Sequence, residues 1–219
     1  MFKAILWDND GVLVDTEHLY CEATRQVFAG AGITLGDADY REMFLTGNMG
    51  AWQRLTAQGR PQAEIARIRD KRNEIYSTLL RGRDHAIDGV REVLQSLHGR
   101  YAMGVVTSSR RDHFEIIHAT TGMLTYFDFV LTREQYVNSK PDPEPYLAGI
   151  AKTGFSAAQC LAVEDTPRGL TAATGAGARC VVIPNALTAT GDFTTAYKVL
   201  RDIRELPALL GERAGSTPV

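Results

Sequence analysis

Five short apolar runs, at 3–7, 102–107, 129–131, 160–163 and 180–183, show no alternation of polar and apolar positions and are bounded by turn-forming residues. That is the pattern of strands buried on both faces of a sheet. Between them lie stretches with apolar residues at helical spacing, notably 89–97, 112–120, 145–152 and 168–174. Strand and helix in alternation predict an α/β fold, a Rossmann-like parallel sheet core flanked by helices with right-handed crossovers. Ligands of such sheets gather beyond the carboxyl ends of the strands.

One stretch breaks the alternation. From about 16 to 83 no strand pattern is visible, and helical segments fall at 16–30, 37–44, 51–58 and 62–80 before strand and helix resume near Ala86. The expected organisation is a core made of 1–15 and 85–219, with an inserted all-helical cap at 16–84. A module inserted at the carboxyl end of the first strand is well placed to act as a lid. The small and polar residues at 211–219 read as a frayed tail. Gly175-Ala176-Gly177 follows a helix and precedes a strand, the reverse of the order a dinucleotide loop needs, so its glycines read as helix stops.

Composition changes this picture little. The 219 residues are 44% hydrophobic and carry a formal net charge of −2, which favours neither nucleic acid nor a membrane surface as partner. Cys21, Cys160 and Cys180 are widely spaced with no C-x-x-C, so neither a disulfide framework nor a zinc site is indicated. The N-terminus has a single early lysine, Lys3, and runs straight into an acidic cluster; no signal peptide and no membrane span are expected. A cytoplasmic monomer or weak dimer is the expectation.

Polar groups stand at four strand ends. Asp8 and Asp10 follow the first run, two residues apart and so on one face, with Gly11 permitting a sharp turn. Thr107, Ser108, Ser109 and Arg110 follow the second; Lys140 lies in Ser139-Lys140-Pro141-Asp142-Pro143; Glu164-Asp165-Thr166 closes the run at 160–163. Singly, each has a bland reading: a turn, a helix cap, a solvated lysine, a capping pair before Pro167.

Taken together, in this order, they resemble the haloacid dehalogenase superfamily of aspartate-nucleophile phosphotransferases. Asp8–Val12 matches D-x-D-G-V, Val105-Val106-Thr107 an apolar strand ending in a hydroxyl, and Lys140 and Glu164-Asp165 the remaining two motifs. The runs Val12-Leu13-Val14-Asp15-Thr16-Glu17, Lys140-Pro141-Asp142-Pro143 and Val163-Glu164-Asp165-Thr166 are similar to the β-phosphoglucomutase-like subgroup with a helical cap. The resemblance implies that Asp8 attacks phosphorus and that Asp10 protonates the leaving oxygen, then takes a proton from water. Such chemistry needs a cation, because a carboxylate nearing a phosphate dianion is repelled by roughly 8 kcal/mol at 4 Å and an effective dielectric near 20. Mg²⁺ held by Asp8, the backbone carbonyl of Asp10, and Asp165 would offset this, with Glu164 a further ligand or the partner of one. Lys140 and Thr107 would stabilise the transferring oxygens. An Asp at position 10 also argues against dehalogenation, since a carbon–halogen bond needs no acid for its leaving group.

The cap separates phosphatase from mutase. Sugar-phosphate mutases of the subgroup have His where this chain has Tyr20, and a Gly-x-x-Arg whose Arg position is Gly50 here. Both departures favour water as acceptor. His18, Arg72, Ser108, Ser109 and Arg110 are the candidate contacts to a small phosphorylated metabolite. The rest of the basic cluster 67–72 reads as a solvated helix face. Met43, Phe44 and Trp52 read as cap core, and His113 and His118, five apart, as helix surface. The expected activity is that of a Mg²⁺-dependent phosphatase; a β-phosphoglucomutase-like phosphotransferase and an idle phosphometabolite-binding protein are the alternatives.

Overall fold

The computed structural model describes residues 1–46 and 52–211. Its core is a six-stranded, all-parallel sheet in the order β3-β2-β1-β4-β5-β6. The strands are β1 (Ala4–Trp7), β2 (Ala102–Val106), β3 (Phe129–Leu131), β4 (Cys160–Glu164), β5 (Arg179–Val182) and β6 (Lys198–Val199). The first five are those the apolar runs predict. β6 has two residues, both exposed, and carries no hydrophobic pattern that would announce it.

Both faces of the sheet are covered. Ile5 and Trp7 of β1 pack with residues of α5 (Val90–Leu97) and α6 (Arg111–His118), while Ala4 and Leu6 pack on the opposite face with α7 (Glu144–Thr153) and α8 (Pro167–Gly175). Every residue of β1 is therefore fully buried, which is why its sequence shows no alternation. The central position of β1, between β2 and β4, brings three strand ends side by side, and the putting of Asp8, Thr107 and Glu164-Asp165 at those ends follows from register alone.

The helices between β1 and α5 are α1 (Glu17–Gly30), α2 (Asp37–Tyr40), which runs on into a π-helical turn Arg41–Thr46, α3 (Trp52–Ala57) and α4 (Gln62–Leu80). They share a small core of Phe28, Ala31, Leu35, Leu55 and Ile65, separate from those of the sheet. The chain leaves and re-enters the core through one paired crossing: Asp15 N–H donates to His85 O at 2.9 Å and Ile87 N–H to Leu13 O at 3.1 Å. α4 leans on α6, with Tyr76 edge-on to His113 at 4.9 Å. A final short helix, α9 (Leu206–Leu209), packs beside α5. Among the described residues no helix is long and apolar enough to cross a membrane. Gly50 and, apart from Gly211, the tail at 211–219 lie outside the described residues.

Candidate active site

β1 ends in a turn whose geometry comes from its own sequence. The Asn9 carbonyl accepts N–H groups from Val12, Leu13 and Val14, and Gly11 sits at φ +84°. A Cβ at Gly11 would stand 2.1 Å from Asp165 Oδ2, so only glycine lets the loop lie against the end of β4.

Beneath this turn is a buried charge cluster. Lys140 Nζ donates to Asp8 Oδ1 at 2.7 Å, to Glu164 Oε1 at 2.6 Å and to the Val106 carbonyl at 2.9 Å, using all three protons. Tyr146 of α7 donates to the same Glu164 oxygen at 2.7 Å. The loop carrying Lys140 is anchored by Glu144, whose carboxylate accepts the Val137 and Asn138 N–H groups at 2.7 Å each. Glu164 lies under the first turn of α8, where a Cβ at Gly169 would fall 2.0 Å from its Oε2. The Asp8 and Glu164 charges hold the Lys140 ammonium above its usual pKa although burial, the larger single influence, works against them.

One ammonium serves three carboxylates. Asp8, Glu164 and Asp165 each offer an oxygen within 4.8 Å of the others. Burial, then the Glu164 charge, push the Asp8 carboxyl up to about 7; burial, then the Asp8 and Glu164 charges, push Asp165 well above the carboxylate range. Asn185 Nδ2 donates to Asp165 Oδ2 at 2.8 Å, but Asp165 Oδ1 is buried without a partner among the described residues. An orphaned oxygen in an all-oxygen donor set that is short of positive charge fits a hard divalent cation.

Asp10 is held differently. Thr16 Oγ1 donates to its Oδ1 at 2.5 Å, while Ser109 Oγ and Asn9 Nδ2 donate to its Oδ2 at 2.6 and 3.3 Å. Thr107 is fully buried and accepts the Ser109 N–H at 3.0 Å, so its hydroxyl also caps the turn. Ser108, Ser109 and Arg110 all line the cleft above Asp8, although the Arg110 guanidinium is forked onto Asp112 at 2.9 and 3.0 Å.

That cleft, about 1240 Å³, runs between the strand ends and the inserted helices. Arg72 is buried in its roof, stacked over Tyr20 at 4.2 Å, with Nη1 unpartnered among the described residues. Arg67 and Lys71 are exposed and stay outside the cleft, whereas Arg69, though exposed, lies over Trp52 at 4.8 Å and also lines it, so the basic cluster is not wholly a solvated face. Met43, Phe44 and Trp52 do more than fill the cap core: each packs against it and also lines the cleft. His18 is different from the other candidates, being exposed, paired with Asp15 at 3.2 Å and absent from the cleft lining. His113 and His118 are not helix surface; α6 is pressed between the sheet and α4, which buries both. His118 is tied to Asn9, and His113 lines the cleft.

The model of the haloacid dehalogenase-like hydrolases matches residues 5–183. The chain belongs to that family. It is 29% identical over 221 residues, 94% of this chain and 96% of the relative, to validoxylamine A 7'-phosphate phosphatase of Streptomyces hygroscopicus subsp. limoneus. It is 29% identical over 185 residues, 80% of this chain and 93% of the relative, to fructose-1-phosphate phosphatase YqaB of Escherichia coli (strain K12). The crystal structure of a mutant of CbbY from Rhodobacter sphaeroides in complex with xylulose-(1,5)bisphosphate superposes with a TM-score of 0.82 at 25% identity, covering 94% of this chain and 96% of that one. The structures of a putative β-phosphoglucomutase from Thermotoga maritima and of β-phosphoglucomutase from Clostridium difficile share the fold, at 24% and 19% identity and TM-scores of 0.67 and 0.76.

Several residues of this haloacid dehalogenase-like site escape a reading by motif. Thr16 looks like a cap, and Ser109, expected as a contact to substrate, gives its hydroxyl to Asp10: both hold that carboxylate. Tyr146 and Gly169, which shape the surroundings of Glu164, look like ordinary helix residues. Their only sequence signal is position: each is in the first turns after a motif residue.

Proposed function

We propose that this chain is a Mg²⁺-dependent phosphoric monoester hydrolase acting on a small phosphorylated metabolite, a sugar phosphate or similar monoester, through an aspartyl-phosphate on Asp8. The observation that carries the reading is the separation of two carboxylates two residues apart into two environments. Asp8 is clamped by Lys140 among carboxylates, and Asp10 is held by hydroxyl and amide donors beside the same cleft. Their roles differ accordingly.

In the first half-reaction an Asp8 oxygen bonds to phosphorus as the bond to the ester oxygen breaks, and Asp10 gives its proton to that oxygen. In the second, water bonds to phosphorus, Asp10 takes its proton, and the bond to Asp8 breaks, returning the enzyme and inorganic phosphate. Lys140 fixes the rotation of Asp8, while Thr107 and Ser108, which line the cleft beside it, receive the phosphoryl oxygens. A divalent ion held by Asp8, Asp165 and the Asp10 carbonyl, with Glu164 as ligand or partner, would supply the charge that lets carboxylate and phosphate meet. Residues 16–84 act as a cap that excludes bulk water and, through Arg72, reads the far end of the substrate. Tyr20, standing where the subgroup's mutases carry His, favours water over a second sugar hydroxyl as acceptor.

The test is a panel of phosphate monoesters with Mg²⁺, read as phosphate release and as sugar-phosphate isomerisation. Asp8→Asn and Asp10→Asn are each expected to remove nearly all turnover while leaving the thermal melt cooperative. Undiminished hydrolysis by Asp8→Asn ends the covalent mechanism; isomerisation without net phosphate release makes the chain a mutase. Tight binding of one ester with no turnover makes it a binding protein.

A further inference from the structure

The residue between the two aspartates is a buried asparagine, and a buried histidine stands behind it. Asn9 is fully enclosed and His118, from the last turn of α6, is 5% exposed. His118 Nε2 lies 2.8 Å from Asn9 Oδ1, and its Nδ1 lies 2.9 Å from Thr121 Oγ1. The ionised Asp10 carboxylate sets the direction of the chain: it only accepts, so the Asn9 group turned to its Oδ2 at 3.3 Å is Nδ2, and Oδ1 faces His118. The Met123 N–H can only donate, and it does so to Thr121 Oγ1 at 3.3 Å. Asn9 Oδ1 can only accept, so it takes the proton of His118 Nε2; the neutral imidazole then has Nδ1 bare, and Nδ1 accepts the Thr121 hydroxyl, whose oxygen also takes the Met123 N–H. The amide orientation and the imidazole tautomer therefore require each other. The flipped amide would set a carbonyl oxygen against that carboxylate and leave the imidazole proton facing N–H.

We propose that His118 and Asn9 are positioning residues for Asp10: a one-way hydrogen-bond relay from Met123 through Thr121 and His118 that locks the Asn9 amide and, through it, the rotation of the acid–base carboxylate. Asp10 then takes donors from three separate pieces of chain, Asn9, Thr16 and Ser109, and a carboxylate held on both oxygens presents its proton along one direction. Burial, against a weaker pull from Asp10, lowers the His118 pKa to about 4, so the neutral tautomer the relay needs persists at neutral pH. Neither residue is part of the cleft lining, so neither acts on substrate directly.

This rests on the phosphatase reading above, and the experiment tells the two failures apart. Kinetics are measured with Mg²⁺ on phenyl phosphate, whose leaving oxygen needs a proton, and on p-nitrophenyl phosphate, a near-equal shape whose phenolate leaves without one. His118→Leu and Asn9→Leu are each expected to lower kcat/KM about tenfold on phenyl phosphate and less than about twofold on p-nitrophenyl phosphate, with KM unchanged. His118→Gln, whose amide nitrogen can reach the place of Nε2, should recover most of the loss. In an Asn9→Leu background, His118→Leu should add no further selectivity. Equal losses on the two esters, or a His118→Gln variant as impaired as His118→Leu, overturn the relay. If His118→Leu does not fold, Asn9→Leu decides alone. If the unmodified protein cleaves neither ester, the phosphatase reading itself falls and the relay with it.

Discussion

Lys140→Met is the substitution that most directly tests how the buried cluster is balanced. The ammonium sits 2.7 Å from Asp8 and 2.6 Å from Glu164, and both Lys140 and Glu164 are almost wholly buried. At an effective dielectric of 20 each contact is worth about 6 kcal/mol in gross attraction. Desolvation of the three ions takes back several kcal/mol apiece, so the net value of the trio is far smaller than the sum of its contacts. Removing Lys140 alone does not return that desolvation; it leaves two carboxylates facing each other and Asp165 with no cation in contact. The expected loss is about 3–5 kcal/mol at neutral pH, a large part of a typical total. Adding Glu164→Gln to Lys140→Met removes one of the stranded charges and is expected to restore part of the loss, although the same Glu164→Gln in the unmodified protein destabilises. The assay is urea unfolding in chelator, followed by circular dichroism, on the four proteins of the cycle. The Lys140→Met deficit should also shrink in mild acid, where the carboxylates take up protons. A deficit below about 1 kcal/mol, or a second substitution that only adds to the damage, would falsify this account.

Three other outcomes follow from the same geometry. Asp8 is raised from 3.8 to about 7, so the folded metal-free protein binds a proton that the unfolded chain releases; this stabilisation is complete below pH 3.8 and is lost as pH rises through about 7. Subtracting metal-free from Mg²⁺-loaded stability cancels His118, whose lowered pKa works in the opposite sense, and the difference should grow with pH; a flat difference counts against the site. Gly169→Ala would favour a helix by about 1 kcal/mol on propensity alone, yet the new Cβ meets the Glu164 carboxylate, so a net loss of about 1–3 kcal/mol in urea unfolding is expected, and a gain refutes the packing. Arg72→Met should raise KM for the best panel substrate about 10- to 100-fold with kcat little changed, as for a lost charge-assisted hydrogen bond; an unchanged KM removes Arg72 from the substrate.

The strands and the helices around them were legible because burial on both faces writes itself into the sequence. β1 to β5 are apolar runs, and the first four end at a polar residue, Asp8, Thr107, Thr132 and Glu164. β6 was not legible, since two exposed residues pairing with β5 carry no pattern of their own. His113 and His118 misled for a related reason. Histidine spacing on α6 says which residues share a face, but not that α4 and the sheet cover both faces of that helix.

The candidate site divides along the same line. Asp8, Asp10, Thr107, Lys140 and the Glu164-Asp165 pair follow from strand register and motif order, because a parallel sheet must bring neighbouring strand ends together. The residues that hold them cannot be found in this way, since Thr16, Tyr146 and Gly169, like the bond from Ser109 to Asp10, are chosen by distance to a neighbour, not by any pattern along the chain. Asn9 makes the point most sharply. In the sequence it is the unspecified middle of D-x-D-G, read only as a turn former; in the fold it is an amide with one oxygen and one nitrogen, each committed, joining a histidine 109 positions away to the carboxylate beside it. An apolar residue would fill the same space, so the requirement for asparagine comes from the polar groups around it. A buried amide with both ends satisfied is evidence about its neighbours as much as about itself.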